Sequence, residues 1–129
     1  MNEASASDQQ QIHAMLQTYF DGMFESSADK IRDAFHSSAK ITGYIEGELH
    51  EMSTDEFAQF VADQQPSPQA KGETPRLDVV SLEIFGDIAA AQVRDDYLGL
   101  TFLDVMSMLR TEGRWRIYNK LFHVEGPVA

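Results

Sequence analysis

The side chains best suited to chemistry in this sequence are two histidines, one aspartate and one tyrosine: His36, His123, Asp104 and Tyr19. Imidazole titrates near neutral pH, so a histidine can act as acid, base or hydrogen-bond donor. Asp104 alternates with large apolar residues in a predicted strand, and a carboxylate on an apolar face costs free energy unless it is paired. We therefore take His36, Asp104 and His123 as the candidate catalytic residues.

Each of these residues also has a structural interpretation. A single histidine on an apolar face is more often a hydrogen-bonded core group than a catalyst. His36 and His123 support a catalytic site only if both point into one cavity. Asp104 is equally consistent with a solvated position at the open end of a sheet, or with a structural bond to Asn119 or a histidine. His13 and His50 are expected at the surface.

Three consecutive predicted strands must position these groups. They run over Ile88–Leu98, Thr101–Thr111 and Arg114–Val124, with Gly99 and Gly113 in the turns. Strand residues alternate faces with period two. The faces predicted to carry the polar groups are Ala89, Ala91, Val93, Asp95 and Tyr97; Phe102, Asp104, Met106 and Met108; and Trp115, Ile117, Asn119, Leu121 and His123. Apolar faces with a few polar groups are typical of a pocket floor, and also of an ordinary core.

Helices are predicted mainly in the first half of the chain. An apolar stripe with helical spacing follows a capping box at Ser7. A second, short helix begins at Ser27, and a third begins at the capping box Ser53 to Glu56. The remaining predicted elements are a hairpin over Lys40–Ile45 and Glu48–Met52, a mobile loop over Gln65–Pro75 and a strand over Leu77–Phe85. Helices followed by an antiparallel sheet predict an α+β fold.

Composition restricts the class of protein. The 129 residues predict a single domain over 1–129, with 1–7 disordered. There is no cysteine, so disulfides and cysteine-ligated zinc are excluded. The net charge of −11 opposes nucleic-acid binding, and the basic group Arg110, Arg114, Arg116 and Lys120 is interpreted as a solvated hairpin face. No signal peptide or membrane span is indicated, and we expect a cytoplasmic protein. We find no metal-binding spacing, phosphate-binding loop or GxSxG motif, and we expect no metal and no cofactor.

Several segments together resemble a known superfamily. From about Gln9 to Val124 the chain resembles the nuclear transport factor 2-like superfamily, which includes the SnoaL-like and ketosteroid-isomerase-like proteins, and within it the branch named putative lumazine-binding. The segments that carry the resemblance are Tyr19-Phe20-Asp21-Gly22-Met23, Ala34-Phe35-His36, Thr42-Gly43-Tyr44, Asp96-Tyr97-Leu98-Gly99 and Gly113-Arg114-Trp115-Arg116-Ile117, which runs into Asn119-Lys120-Leu121-Phe122-His123.

The resemblance implies a cone-shaped, cystatin-like fold. Three N-terminal helices would pack in the concavity of a strongly curved, mostly antiparallel sheet around a deep pocket. It also implies a homodimer through the convex sheet face. The isomerase pattern of a tyrosine on the first helix and two aspartates is matched in part, by Tyr19 and Asp104.

Three functions follow as expectations. The first is a pocket protein for a small molecule, with a flat heteroaromatic such as a pterin or lumazine as the candidate ligand. Its expected ligand-binding residues are Tyr19, Tyr44, Phe60, Tyr97, Met106, Trp115 and Asn119. The second is a cofactor-independent lyase or isomerase of the dehydratase, isomerase or cyclase type, with His36 or His123 as base and Asp104 as its partner. The third is a non-catalytic dimeric module with a filled cavity.

Overall fold

A six-stranded sheet carries three helices on one face. The computed structural model describes residues 6–129. Its elements in chain order are α1 (Ala6–Glu25), α2 (Ala28–Ala34), β1 (Phe35–Ile45), β2 (Glu48–Ser53), α3 (Thr54–Ala62), β3 (Leu77–Phe85), β4 (Ile88–Tyr97), β5 (Leu100–Thr111) and β6 (Arg114–Pro127). The sheet order is β2-β1-β6-β5-β4-β3. All neighbours are antiparallel except β1 and β6, which are parallel. The α+β prediction is confirmed.

The helix predictions hold except at the start of the chain. Ser27 caps α2, and Ser53 and Glu56 form the predicted capping box of α3. The cap assigned to Ser7 is wrong, because α1 already includes Ala6. Disorder was predicted for residues 1–7. Residues 1–5 lie outside the described part of the chain, and Ala6 and Ser7 belong to α1.

The core lies between the inner face of the sheet and the helices. The apolar stripe of α1 is buried as its spacing predicts, through Ile12, Met15, Leu16, Tyr19, Phe20 and Met23. It packs against inward side chains of β4, β5 and β6, among them Val93, Met106 and Ile117. None of the helices within residues 6–129 is both long enough and apolar enough to cross a membrane.

A β-bulge in β6 changes which side chains face inward. Ser107 pairs with Asn119 and Met108 pairs with Ile117, so Tyr118 is an extra residue on β6. Trp115 and Ile117 point into the core before the bulge, whereas Lys120 and Phe122 point inward after it. The predicted single face from Trp115 to His123 is therefore wrong. It fails because one inserted residue reverses the alternation from Asn119 to Val124, where a second register shift follows.

The loop between α3 and β3 is tied to α1. The amide of Gln69 donates to the carbonyl of Phe24 at 2.9 Å, and the Ser26 hydroxyl donates to the carbonyl of Gln64 at 2.6 Å. Ser67 and Pro68 are buried. These bonds hold the loop beside the C-terminal end of α1.

Candidate functional site

Four buried polar side chains meet on the inner face of the sheet. Tyr19 comes from α1, Asp95 from β4, Asp104 from β5 and Lys120 from β6. All four are at most 5% exposed. Asp95 and Asp104 lie on neighbouring strands, where Asp104 pairs with Val93 and Asp95 pairs with Phe102, so the two carboxyl groups are diagonal neighbours. We call this group the polar cluster.

The Tyr19 hydroxyl is the centre of the polar cluster. Lys120 Nζ donates a hydrogen bond to it over 2.7 Å. The same hydroxyl lies 2.9 Å from Asp95 Oδ2 and 3.0 Å from Asp104 Oδ2. A phenol has one proton to donate, so it can donate to only one carboxylate. The other short contact is a hydrogen bond only if that carboxyl group carries a proton.

Electrostatics indicate which carboxyl group holds the proton. Burial raises the pKa of Asp95 well above its ordinary value, and the nearby charge of Asp104 raises it further, against the opposing effect of Lys120. Burial also raises the pKa of Tyr19, with the charges of Asp104 and Asp95 adding to the effect. The phenol of Tyr19 is therefore neutral, and Asp95 keeps its proton at pH values above those at which an ordinary aspartate loses it.

The Lys120 ammonium is enclosed by aromatic rings as well as by carboxyl groups. Its Nζ lies 4.7 Å from the ring centroid of Tyr19 and 5.0 Å from that of Phe57. Asp104 Oδ2 is 3.9 Å away. Ring faces attract cations, and a desolvated cation gains more from them than an exposed one. The ammonium is thus held by groups that leave it little contact with water.

An apolar cavity of about 200 Å³ opens beside the polar cluster. Asp95 and Lys120 belong to its wall, and His50 lies at its half-buried edge. The remaining wall residues are apolar or aromatic: Met23, Ile41, Ile45, Met52, Phe57, Phe60, Tyr97, Leu98, Leu100, Phe102 and Phe122. The residues of the 63–76 loop, all of which the structure describes, are not part of this wall.

Two buried polar atoms near the cavity have no hydrogen-bond partner among the described residues. They are the hydroxyl of Tyr97, which belongs to the cavity wall, and Oδ1 of Asp104. Burial raises the pKa of Tyr97, and the charge of Glu73 adds to this, so the hydroxyl keeps its proton. A buried donor without a partner costs free energy that a ligand acceptor would recover.

The structure separates the candidate residues into two groups. It brings Tyr19 and Asp104 into the polar cluster, and it places Phe60 and Tyr97 in the cavity wall. Met106 and Trp115 are buried in the core instead, and the Trp115 indole donates to Asp8 at 3.3 Å. Within residues 6–129, no group of three or more histidine, aspartate or glutamate side chains is arranged to hold a metal ion.

The two candidate histidines do not lie beside Asp104. His36 is half-buried, and its ring is tilted by 59° against that of Tyr118, with 5.2 Å between the ring centroids. It lines a separate polar cleft of about 460 Å³. His123, Asn119 and Tyr44 lie on the other face of the sheet; His123 and Tyr44 are exposed there. The β6 bulge accounts for His123 and Asn119, because it turns the residues after Tyr118 to the opposite face.

Sequence reasoning missed two members of the polar cluster and one residue of the cavity edge. Lys120 was assigned to a solvated basic face, an interpretation that its 5% exposure contradicts. Asp95 was placed on the correct face but not singled out, although an aspartate among Ala91, Val93 and Tyr97 carries the same signal as Asp104. His50 was expected at the surface, and its position at the cavity edge follows from the pairing of β2 with β1.

A family model described as putative lumazine-binding matches residues 7–123. The chain belongs to this family. It is 26% identical over 119 residues to a protein named aldolase FrzH from Cladobotryum sp., covering 92% of this chain and 93% of that protein.

Solved structures place this member of the putative lumazine-binding family in the nuclear transport factor 2-like fold. A protein of unknown function from Silicibacter pomeroyi DSS-3 is 29% identical with a TM-score of 0.84, over 94% of this chain and 99% of that one. One from Shewanella baltica OS155 is 24% identical with a TM-score of 0.82, over 96% and 98%. A cystatin-like protein from Burkholderia xenovorans LB400 is 14% identical with a TM-score of 0.70, over 97% of each chain. The predicted superfamily, branch and fold are confirmed.

Proposed function

We propose that the cavity binds a small, flat molecule whose polar edge carries carbonyl groups. The observation that supports this most directly is the wall itself, which is apolar except for Asp95, Lys120, His50 and the hydroxyl of Tyr97. Pockets with this composition, apolar walls and a few placed polar groups, are typical of small-molecule sites. The family description points to the same class of ligand.

The size of the cavity limits the ligand. Pockets for drug-sized ligands measure about 300 Å³ or more. A dry cavity of about 150 Å³ can bind benzene. The 200 Å³ observed here therefore suits a single ring or a compact fused bicycle. Lumazine and pterins are flat fused bicycles and lie at the upper end of this range.

The polar groups of the wall select for hydrogen-bond acceptors. The Lys120 ammonium, the protonated carboxyl group of Asp95 and the unpartnered Tyr97 hydroxyl are all donors. A ligand edge with carbonyl oxygens or ring nitrogens complements three donors better than an edge with N–H groups. This complementarity favours pteridine-like rings and aromatic carbonyl compounds over amines.

A second candidate function is an enzyme that needs no cofactor. The relative named aldolase and the polar cluster favour it. Aldol, dehydration and isomerisation reactions all remove a proton next to a carbonyl group and stabilise the resulting negative charge. In this proposal Asp95, Asp104 and Lys120 would take these roles, since Asp95 and Lys120 line the cavity, Asp104 lies beside them, and His36 and His123 are not part of the wall.

We also propose that the protein forms a homodimer through the outer sheet face. Val105 and Leu121 are cross-strand partners there, and both are about half exposed. Tyr44 and Tyr118 are exposed on the same face. This arrangement agrees with the dimer that the resemblance implies, and it would be shared by a non-catalytic module whose cavity holds no ligand.

Thermal unfolding in the presence of lumazine, pterin, small enones and aromatic aldehydes tests the binding proposal. A ligand at 100 times its Kd stabilises the folded state by about 2.7 kcal/mol, which raises the Tm of a domain this size by several degrees. The shift should be reduced in Asp95→Leu, which removes a donor from the cavity wall, and retained in His36→Ala, which alters the separate cleft. Equal shifts in both variants, or no shift with any compound, would contradict the proposal.

A further inference from the structure

The side chain of Lys120 has the setting of a nucleophilic amine. Four lysines occur in the chain, and the other three, Lys30, Lys40 and Lys71, are either exposed or only partly buried in surface ion pairs. Lys120 is 5% exposed, and its side chain belongs to the wall of the apolar cavity. Lysines that act as Schiff-base nucleophiles lie in pockets of this kind, where the amine can meet the carbonyl carbon of a bound ligand.

A connected path exists for removing the proton from this amine. Lys120 Nζ donates to the Tyr19 hydroxyl over 2.7 Å, and that hydroxyl lies 3.0 Å from Asp104 Oδ2. Tyr19 can accept a proton from Lys120 while it passes its own to Asp104. Direct transfer is less favourable because Nζ and Asp104 Oδ2 are 3.9 Å apart.

The charge of the polar cluster does not oppose this transfer. With one proton on the carboxyl pair and an ammonium on Lys120, the cluster has no net charge. After the transfer both carboxyl groups and the amine are neutral, so the net charge is unchanged. The transfer therefore replaces a separated pair of buried charges by neutral groups and moves no net charge into or out of the core.

We propose that Lys120 forms an imine with an aldehyde or ketone bound in the cavity, and that Tyr19 relays the proton between Lys120 and the carboxyl pair. This rests on the proposed function, since the same cavity must first admit a carbonyl compound. The nitrogen lone pair forms a bond to the carbonyl carbon, and the carbonyl oxygen takes a proton from the carboxyl pair. The nitrogen then returns a proton to the carboxyl pair, which gives the carbinolamine. The carboxyl pair next protonates the carbinolamine hydroxyl group, the C–O bond breaks, water leaves, and the nitrogen lone pair forms the C=N bond of a protonated imine. No oxidant or reductant is needed.

Reductive trapping tests this directly. The folded protein is incubated with benzaldehyde at neutral pH, sodium borohydride is added, and the modified lysine is found by peptide mass spectrometry. We expect one benzyl group on Lys120, none in Lys120→Arg and an unchanged yield in Lys40→Arg. Acetylacetone, whose adduct with an amine absorbs in the near ultraviolet, provides a second probe without a reductant.

The relay is tested with Tyr19→Phe, which keeps the ring that packs against Phe35. General acid-base steps contribute about 100-fold or more to a rate, so trapping at Lys120 should slow by about that factor while the Tm shift with benzaldehyde persists. An unchanged trapping rate would overturn the relay.

The two proposals fail differently. A Tm shift with benzaldehyde but labelling spread over Lys30, Lys40 and Lys71 would overturn the imine and leave ligand binding intact. Neither a Tm shift nor labelling of Lys120, with benzaldehyde and with acetylacetone, would overturn both.

Discussion

Three short contacts converge on the Tyr19 hydroxyl, and the phenol can donate only one hydrogen bond among them. The protonation of Asp95 is therefore part of the native structure. An acid whose pKa is raised on folding keeps its proton in the folded state after the unfolded chain has lost it. The folded state then binds more protons, so this group lowers stability as pH rises from the ordinary aspartate pKa of about 3.9 to the raised value.

Asp95→Asn should remove this dependence, because asparagine imitates the protonated acid and does not titrate. Relative to the native protein, the variant should gain stability as pH rises through that window, at up to about 1.4 kcal/mol per pH unit. Above the raised pKa the difference should stay constant. Urea unfolding of both proteins across the pH range measures this difference in stability. Parallel curves of stability against pH would show that folding does not raise the pKa of Asp95.

Lys120→Met leaves the carboxyl pair without its cation. Removing one partner of a buried ion pair costs about 3–5 kcal/mol, whereas replacing both partners by neutral groups is often tolerated. We therefore expect Lys120→Met to be strongly destabilised and Lys120→Met with Asp104→Asn to recover most of the loss. Urea unfolding at neutral pH provides the measurement, with the exposed Lys40→Met as control. A Lys120→Met protein as stable as the control would contradict a buried ion pair.

The absence of a side chain at Gly43 allows β1 to pack closely against Phe122 of β6, which belongs to the cavity wall. A Cβ atom at Gly43 would lie 2.4 Å from the carbonyl oxygen of Phe122 and 2.5 Å from its ring. Phe122 lines the cavity and packs edge to face against Phe102. Because the nearest atom is backbone, the strands themselves must move to admit a side chain here.

Gly43→Ala should therefore destabilise the protein by about 1–3 kcal/mol and weaken ligand binding. Gly22→Ala is the matched control. Its Cβ would lie 2.9 Å from Cδ1 of Ile31 and 3.2 Å from the Ile31 amide nitrogen, and alanine favours the helix by about 1 kcal/mol, so the loss of stability should be smaller than at Gly43. Unfolding by urea compares the two. Equal stabilities would show that β1 and β6 separate without cost.

Local sequence signals predicted most of the elements. The apolar stripe of α1, the caps at Ser27 and Ser53 and the alternation along β4 and β5 all agree with the structure. The bulge at Tyr118 was not predictable in this way, since it depends on how β6 pairs with β1 and β5. That single residue explains why Lys120 was missed and why His123 and Asn119 were placed inside.

The outer sheet face carries exposed apolar side chains, although the chain as a whole has a net charge of −11. Leu121→Glu adds a charge to the proposed dimer interface. Light scattering should therefore give the mass of a dimer for the native protein and that of a monomer for the variant. Val80→Glu on the edge strand β3, with a similar exposure of 47%, is the control and should leave the dimer intact. Identical masses for all three proteins would contradict an interface at Leu121.

We claim that the cavity beside Asp95 and Lys120 is a ligand site, and the methionine methyl groups report on it without mutation. Met23 and Met52 line the cavity, whereas Met15 and Met108 lie in the core outside its wall. In an NMR titration of methyl-labelled methionines with lumazine and benzaldehyde, the signals of Met23 and Met52 should move with one shared Kd while those of Met15 and Met108 stay in place. Signals that move at Met15 and Met108 alone, or at no methionine with either compound, would contradict the claim.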